Sequence, residues 1–118
     1  MSSSDDEGPP TVLVASHTDA PPAVVREVLA GVEEQGVPTA GVGGGDDPDA
    51  GARHAARESR LEVGVGVGPD GAVVVRHALV ADPVLVLPPG ARAADRRQAG
   101  GDAARIVAGL PLRCGAAR

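Results

Sequence analysis

The chain contains no phenylalanine, tyrosine or tryptophan, and that absence limits how it can build an interior more than any other feature of its sequence. Each buried aromatic ring removes about 150 to 250 Å² from water. Without them, the core of these 118 residues must be assembled from Val, Leu, Ile and Ala. A chain of this length is expected to form one domain that buries roughly 65 to 70 % of its unfolded surface. The expectation is a modestly stable monomer that gains from a partner.

Charge narrows the ligands. The formal net charge of −5 repels phosphate backbones and anionic lipid surfaces, which argues against nucleic acid and membrane as partners. Every basic residue is Arg, so the lysine that a P-loop requires is missing. The opening M-S-S-S-D-D-E-G-P-P has neither the basic nor the apolar region of a secretory signal. No apolar run approaches the roughly 20 residues of a membrane span, and the single Cys114 has no internal disulfide partner. These features predict a soluble, cytoplasmic protein with a disordered leader over residues 1–10, one domain over 11–113 and a tail over 114–118.

The run T-V-L-V-A-S from Thr11 is short and β-branched, as in a strand buried on both faces. Asp19, Pro21 and Pro22 make a helix start. From Ala23 to Gln35, Val25, Val28, Leu29 and Val32 recur at helical spacing as a core stripe, and Gly36 closes the helix. Val37 to Val42 is a second strand candidate; Gly43 to Asp49 is a loop whose Asp49 caps a helix running to Ser59. Val63–Val67 and Ala72–Arg76 flank a G-P-D-G turn as a β-hairpin, and V-L-V-L after Pro83 reads as a further buried strand.

A last helix falls between Ala91 and Gly109, with Ala103, Ile106, Val107 and Leu110 as its apolar stripe. Gly100 and Gly101 leave two alternatives: Asp102 caps a short helix, or the glycines sit mid-helix at a cost of about 1 kcal/mol each. The element order predicts an α/β fold, a three-layer sandwich whose mixed, mostly parallel sheet of about five strands is flanked by helices.

Few residues carry chemistry of their own. Gly66, Gly68 and Gly71 spell the dinucleotide pattern G-x-G-x-x-G, but a strand follows them where a helix N-terminus is needed, so they read as a hairpin turn. Ser16, His17 and Asp19 cluster after the first strand, where α/β active sites often form, and are the one internal candidate for nucleophilic catalysis. His54 and His77 make no metal-ligand spacing. Glu33 and Glu34 lie in the last turn of the first helix, where the helix dipole disfavours anions. Glu34 falls on the far side from the predicted stripe, free to reach another molecule.

Three segments in order resemble one family. R-E-V-L-A-G-V-E-E-Q-G-V-P from Arg26 to Pro38, A-A-R-E-S-R-L-E-V-G-V-G from Ala55 to Gly66 and G-D-A-A-R-I-V-A-G-L-P-L-R from Gly101 to Arg113 are similar to the signature segments of the small subunit of diol/glycerol dehydratase reactivase. The resemblance implies an accessory subunit without its own active site. It implies pairing with a large actin-like or Hsp70-like ATPase subunit in a heterotetrameric chaperone. The client would be an adenosylcobalamin-dependent diol or glycerol dehydratase, from which damaged cobalamin is released by subunit exchange.

The resemblance also implies that Glu34 helps coordinate Mg²⁺ beside the ADP or ATP of the large subunit, with Glu33, Gln35 and Gly36 at that interface. Gln35 stands where the family pattern has a third glutamate, and Gly101 with Asp102 stands where it has G-N-N. The alternative reading is the medium subunit of the B12-dependent dehydratase itself. Diol versus glycerol client and association with a bacterial microcompartment stay open.

Overall fold

The computed structural model describes residues 9–108. The expectations for the first eight residues, Leu110, the P-L-R motif and the Cys114 tail lie outside the described residues. Pro9 and Pro10 are exposed. The element order is β1 (Val12–His17), α1 (Pro22–Glu34), β2 (Thr39–Gly44), α2 (Pro48–Glu58), β3 (Val63–Val67), β4 (Val73–His77), β5 (Leu85–Leu87) and α3 (Ala93–Ala108). The sheet order is β2-β1-β3-β4-β5. Strands β2, β1 and β3 are parallel, β4 is reversed, and β5 is antiparallel to β4, so only β4 runs against the rest.

Strand alternation assigns the two faces. Val63, Val65 and Val67 join Val12, Val14, Val73 and Val75 in one core with Val24, Val28 and Val32 of α1 and Ala99, Ala103 and Ala104 of α3. The intervening Gly64 and Gly66 face α2: a methyl group on either would overlap the backbone of Pro48, Ala52 or Ala56. The V-G-V-G-V strand therefore packs valine against two helices and bare backbone against a third. Helix α2 answers with Ala52, Ala55 and Ala56, all buried. The result is the expected three-layer arrangement, α1 and α3 on one face and α2 on the other.

Several local expectations shift for identifiable reasons. Strand β2 begins two residues late because Pro38 has no N–H for the ladder; its carbonyl accepts from the Val12 N–H at 3.0 Å. Asp47, not Asp49, caps α2: its side chain accepts from the Asp49 N–H at 3.0 Å, and Pro48 takes the first helical position. Strand β5 is an edge rather than a buried strand, with Val86 57 % exposed, because α2 lies over β1, β3 and β4. In α1 the buried residues are Val24, Val28, Gly31 and Val32, while Val25 and Leu29 are only partly buried.

That rotation of the α1 face is caused by α3. Gly100 and Gly101 sit inside α3, resolving the two alternatives in favour of one continuous helix. They are there to let the helices touch: a methyl on Gly31 would overlap the Arg97 carbonyl, and one on Gly100 would overlap the Val28 carbonyl. Of the predicted α3 stripe, Ala103 is fully buried and Ile106 and Val107 pack partly against the core.

One charged pair locks α2 to the sheet. Arg76 of β4, only 7 % exposed, donates from Nε and Nη2 to the two oxygens of Asp49 at 2.8 and 3.0 Å, and from Nη1 to the Ala81 carbonyl at 2.6 Å. The hydrogen bonds from Arg76 hold the Asp49 carboxyl below its usual range.

Gly31→Ala and Gly100→Ala should each lower the urea midpoint, by an overpacking cost of about 1–3 kcal/mol that outweighs alanine's helix preference. Gly101→Ala, whose methyl would stand 3.6 Å from the Gly31 carbonyl, should keep that preference and gain up to about 1 kcal/mol. Asp49→Asn strands a buried guanidinium and should cost about 2–3 kcal/mol at neutral pH, a discount for the partly exposed carboxylate included. Because the folded carboxyl titrates below its unfolded value, the stabilisation is present above about pH 4 and is lost as pH falls through the folded value. Acid titration of stability should therefore be shallower in the variant.

Candidate functional site

Helix α1 ends on two carboxylates with no basic residue in its last turn, an arrangement that costs about 0.3–1 kcal/mol per anion at low ionic strength. The compensation comes from other elements. The Thr39 hydroxyl at the start of β2 donates to Glu33 Oε2 at 3.1 Å. Arg97 of α3 reaches across the seam and forks: its Nε donates to Glu27 Oε1 at 2.8 Å and its Nη1 to Glu34 Oε2 at 2.9 Å. Hydrogen bonding to Glu27, then the charges of Glu27 and Glu34, raise the Arg97 pKa above its ordinary value. Gln35 Oε1 accepts from Arg105 at 3.4 Å.

Glu34 therefore stands at the edge of the α1–α3 seam and not on an unengaged far face. The reason is the rotated burial of α1: with Gly31 against α3, the Glu27 and Glu34 side borders that helix. The Glu34 side chain is still 53 % exposed, and it opens on a groove of about 270 Å³ shared with Gln35, Arg97, Gln98, Gly101 and Arg105. Gly36 follows with φ of +80°, its N–H bonded to the Glu33 carbonyl at 2.9 Å, and turns the chain toward β2.

What this corner can do chemically is limited and specific. Among the described residues no group of three or more His, Cys, Asp or Glu could hold a metal ion. Glu34 Oε2 faces Arg97, while Oε1 makes no hydrogen bond among the described residues. A single carboxylate fits a hard divalent cation as one ligand of a set completed by phosphate, water and another chain.

The Ser16, His17 and Asp19 cluster is arranged differently from a catalytic triad. The Asp19 N–H donates to His17 Nδ1 at 2.8 Å, and His17 Nε2 lies 3.0 Å from Asp46 Oδ1. A backbone N–H can only donate, so Nδ1 is the bare nitrogen and the neutral ring carries its proton on Nε2, toward Asp46. Neither nitrogen has a lone pair aimed at Ser16. His77 likewise uses Nδ1 to accept from the Leu79 N–H at 3.1 Å. The glycine pattern forms a hairpin turn, closed by Gly68 N–H to the Ala72 carbonyl and Gly71 N–H to the Gly68 carbonyl. Among the described residues no helix is long and apolar enough to cross a membrane.

A sequence profile described as dehydratase medium subunit matches residues 9–113. The chain belongs to that family. Two solved structures extend the likeness. A structure described as glycerol dehydratase reactivase superposes with a TM-score of 0.82 at 31 % identity, over 91 % of this chain and 99 % of that one. A diol dehydratase-reactivating factor complexed with ADP and Mg²⁺ superposes with a TM-score of 0.76 at 32 % identity, over 90 % and 99 %. No curated protein sequence matches the chain.

Within this dehydratase medium subunit fold, the signature segments divide by role. In A-A-R-E-S-R-L, Ala55 and Ala56 are the buried α2 residues beneath which Gly64 passes. Ser59 ties the end of α2 to the start of β1, its hydroxyl donating to the Thr11 carbonyl at 2.7 Å. Asp102, one of the departures from the reactivase pattern, is 1 % exposed and belongs to the interior. Among the described residues, the Arg26–Pro38 segment presents Glu33, Glu34 and Gln35 together on the surface, and the Ala55–Gly66 segment presents Arg57. The residue that sequence reasoning missed is Arg97; its signal was the Gly100–Gly101 pair one turn later, a mark of close helix approach.

Nitrogen-15 NMR of the neutral His17 ring should show the proton on Nε2 and Nδ1 bare. The opposite tautomer would contradict the hydrogen bond from Asp19.

Proposed function

We propose that this chain is the non-catalytic small subunit of a reactivating factor for an adenosylcobalamin-dependent diol or glycerol dehydratase. It pairs with a large actin-like or Hsp70-like ATPase subunit in a heterotetramer. By exchanging with the dehydratase it frees that partner to open the enzyme, so that damaged cobalamin leaves. The observation that carries this reading is the likeness to two reactivase structures over nearly their whole chains. The His17 geometry, with both ring nitrogens engaged, supports an accessory rather than a catalytic role. In this reading residues 11–113 form the working domain, in the cytoplasm or a bacterial microcompartment.

Glu34 is assigned as the metal-contacting residue, with Glu33, Gln35 and Gly36 beside it at the interface. Its half-exposed carboxylate at the end of α1 can add one oxygen to a Mg²⁺ ion held mainly by the nucleotide and the large subunit. The second reading, a medium subunit of the dehydratase itself, is favoured by the family's description. Co-expression separates them. Recovery with a large nucleotide-binding subunit supports the first, and stable incorporation into a dehydratase containing cobalamin supports the second.

Glu34→Gln should leave the chain folded, with an unchanged urea midpoint, yet weaken Mg²⁺- and ADP-dependent association with the large subunit by about 10- to 100-fold, as loss of a support in a metal site does. Unchanged affinity, measured by calorimetry, would remove Glu34 from the interface.

A further inference from the structure

A second surface lies on the other flank of α1, away from Glu34 and Arg97. At about 100° per residue, Val24, Glu27, Gly31 and Glu34 border α3, whereas Val25, Arg26, Leu29 and Glu33 turn the opposite way, over the β2 edge of the sheet. The register pairs Thr39, Gly41 and Gly43 of β2 with Val12, Val14 and Ser16 of β1. These three β2 positions therefore face α1. Two of them are glycine, and nothing lies within 4 Å of where a side chain on Gly41 or Gly43 would begin. The consequence is a groove of about 680 Å³, walled by Val25, Leu29 and Ala30 and floored by Ser16 and Gly43. Val25 and Leu29, which sequence periodicity assigns to the core, line this space.

The strand beside the groove is also incomplete. The Val12 N–H bonds to the Pro38 carbonyl, so by strand alternation Ala40, Val42 and Gly44 turn their main-chain groups toward β1. The N–H and C=O groups of Thr39, Gly41 and Gly43 then point outward, and among the described residues no strand pairs with them. Edge strands are normally protected by charged residues, proline or a bulge. T-A-G-V-G-G carries no charge or proline. At the lip, Arg26 makes no hydrogen bond or ion pair among the described residues.

A second copy of this chain does not complete the site. Its own β2 would bring Thr, Gly and Gly to the face over the groove, leaving it empty, and the chain has no aromatic side chain to offer. We propose that β2 is a strand-addition site for an extended segment of a different protein. That segment pairs with the outward groups of Thr39, Gly41 and Gly43, places a bulky apolar side chain in the groove beneath α1 and presents a carboxylate to Arg26. The site goes beyond the reactivase reading and does not depend on Glu34.

The test is an NMR titration of the full-length, nitrogen-15-labelled chain with the peptide Thr-Thr-Glu-Thr-Phe-Thr-Thr, whose Glu and Phe share one face when extended. Saturable shifts should centre on residues 39–44, Val25, Arg26 and Leu29. Amide exchange should slow at Thr39, Gly41 and Gly43 but not at Ala40, Val42 and Gly44. Changing the peptide's Phe to Ala, or filling the groove with Gly43→Val at its floor, should weaken binding by about tenfold or more. Arg26→Glu, an exposed change that leaves the fold intact, should reverse the preference to a peptide with Lys in place of Glu. No saturable binding, indifference to the Phe, protection of the even-numbered amides, or pairing of two copies through β2 would each overturn the proposal. A failed Glu34 experiment leaves these measurements unaffected.

Discussion

Close contact between bare stretches of backbone is the constraint on which the rest of this protein depends. A core without aromatic rings cannot fill wide gaps between layers, so the layers must come together instead. Gly64 and Gly66 let α2 lie almost on the sheet, and Gly31 with Gly100 let α1 and α3 meet at their carbonyl oxygens. Dispersion and apolar burial both reward that proximity, because a gap too small for water has no atoms to supply contacts. Valine and alanine then suffice as filling: the fully buried positions include Val12, Val28, Val63, Val65 and Val75, with Ala52, Ala55 and Ala103 at the helices.

The same closeness organises the surface charges. Because α3 runs hard against α1, Arg97 is near enough to bind Glu27 and Glu34 together. The anions at the unfavourable end of α1 acquire a counter-ion that their own helix does not provide. On the opposite flank Thr39 supplies Glu33 with a single hydroxyl; Gly41 and Gly43 offer no side chain to Val25 and Leu29, and a groove is left. One helix thus has a closed, cross-linked side and an open side, both set by where glycine falls on the adjoining element.

Much of this was legible in the sequence. The hairpin from Val63 to His77, the helix through Arg26 and its stop at Gly36 follow from short-range rules of periodicity and turn chemistry, and they stand as read. Long-range decisions were less legible. The stripe Val25, Val28, Leu29, Val32 has helical spacing, but which half of it is buried depends on α3, some seventy residues away in the chain. The same distance concealed Arg97 as the partner of Glu34. Asp47 and Asp49 illustrate a finer limit: both can cap a helix, and it is Pro48 between them that decides, freeing Asp49 to bind Arg76 across the layers.

The forked guanidinium of Arg97 has a consequence for how ions could reach this protein. Glu34 is not a bare anion awaiting a counter-charge; Arg97 holds its Oε2 and shares a single positive charge between it and Glu27. A divalent cation arriving at the other oxygen would meet that guanidinium close by, and the repulsion between the two positive groups would oppose it. An ion that brings its own anionic groups would offset that repulsion, so this corner favours a cation already carried by a negatively charged ligand over a bare one.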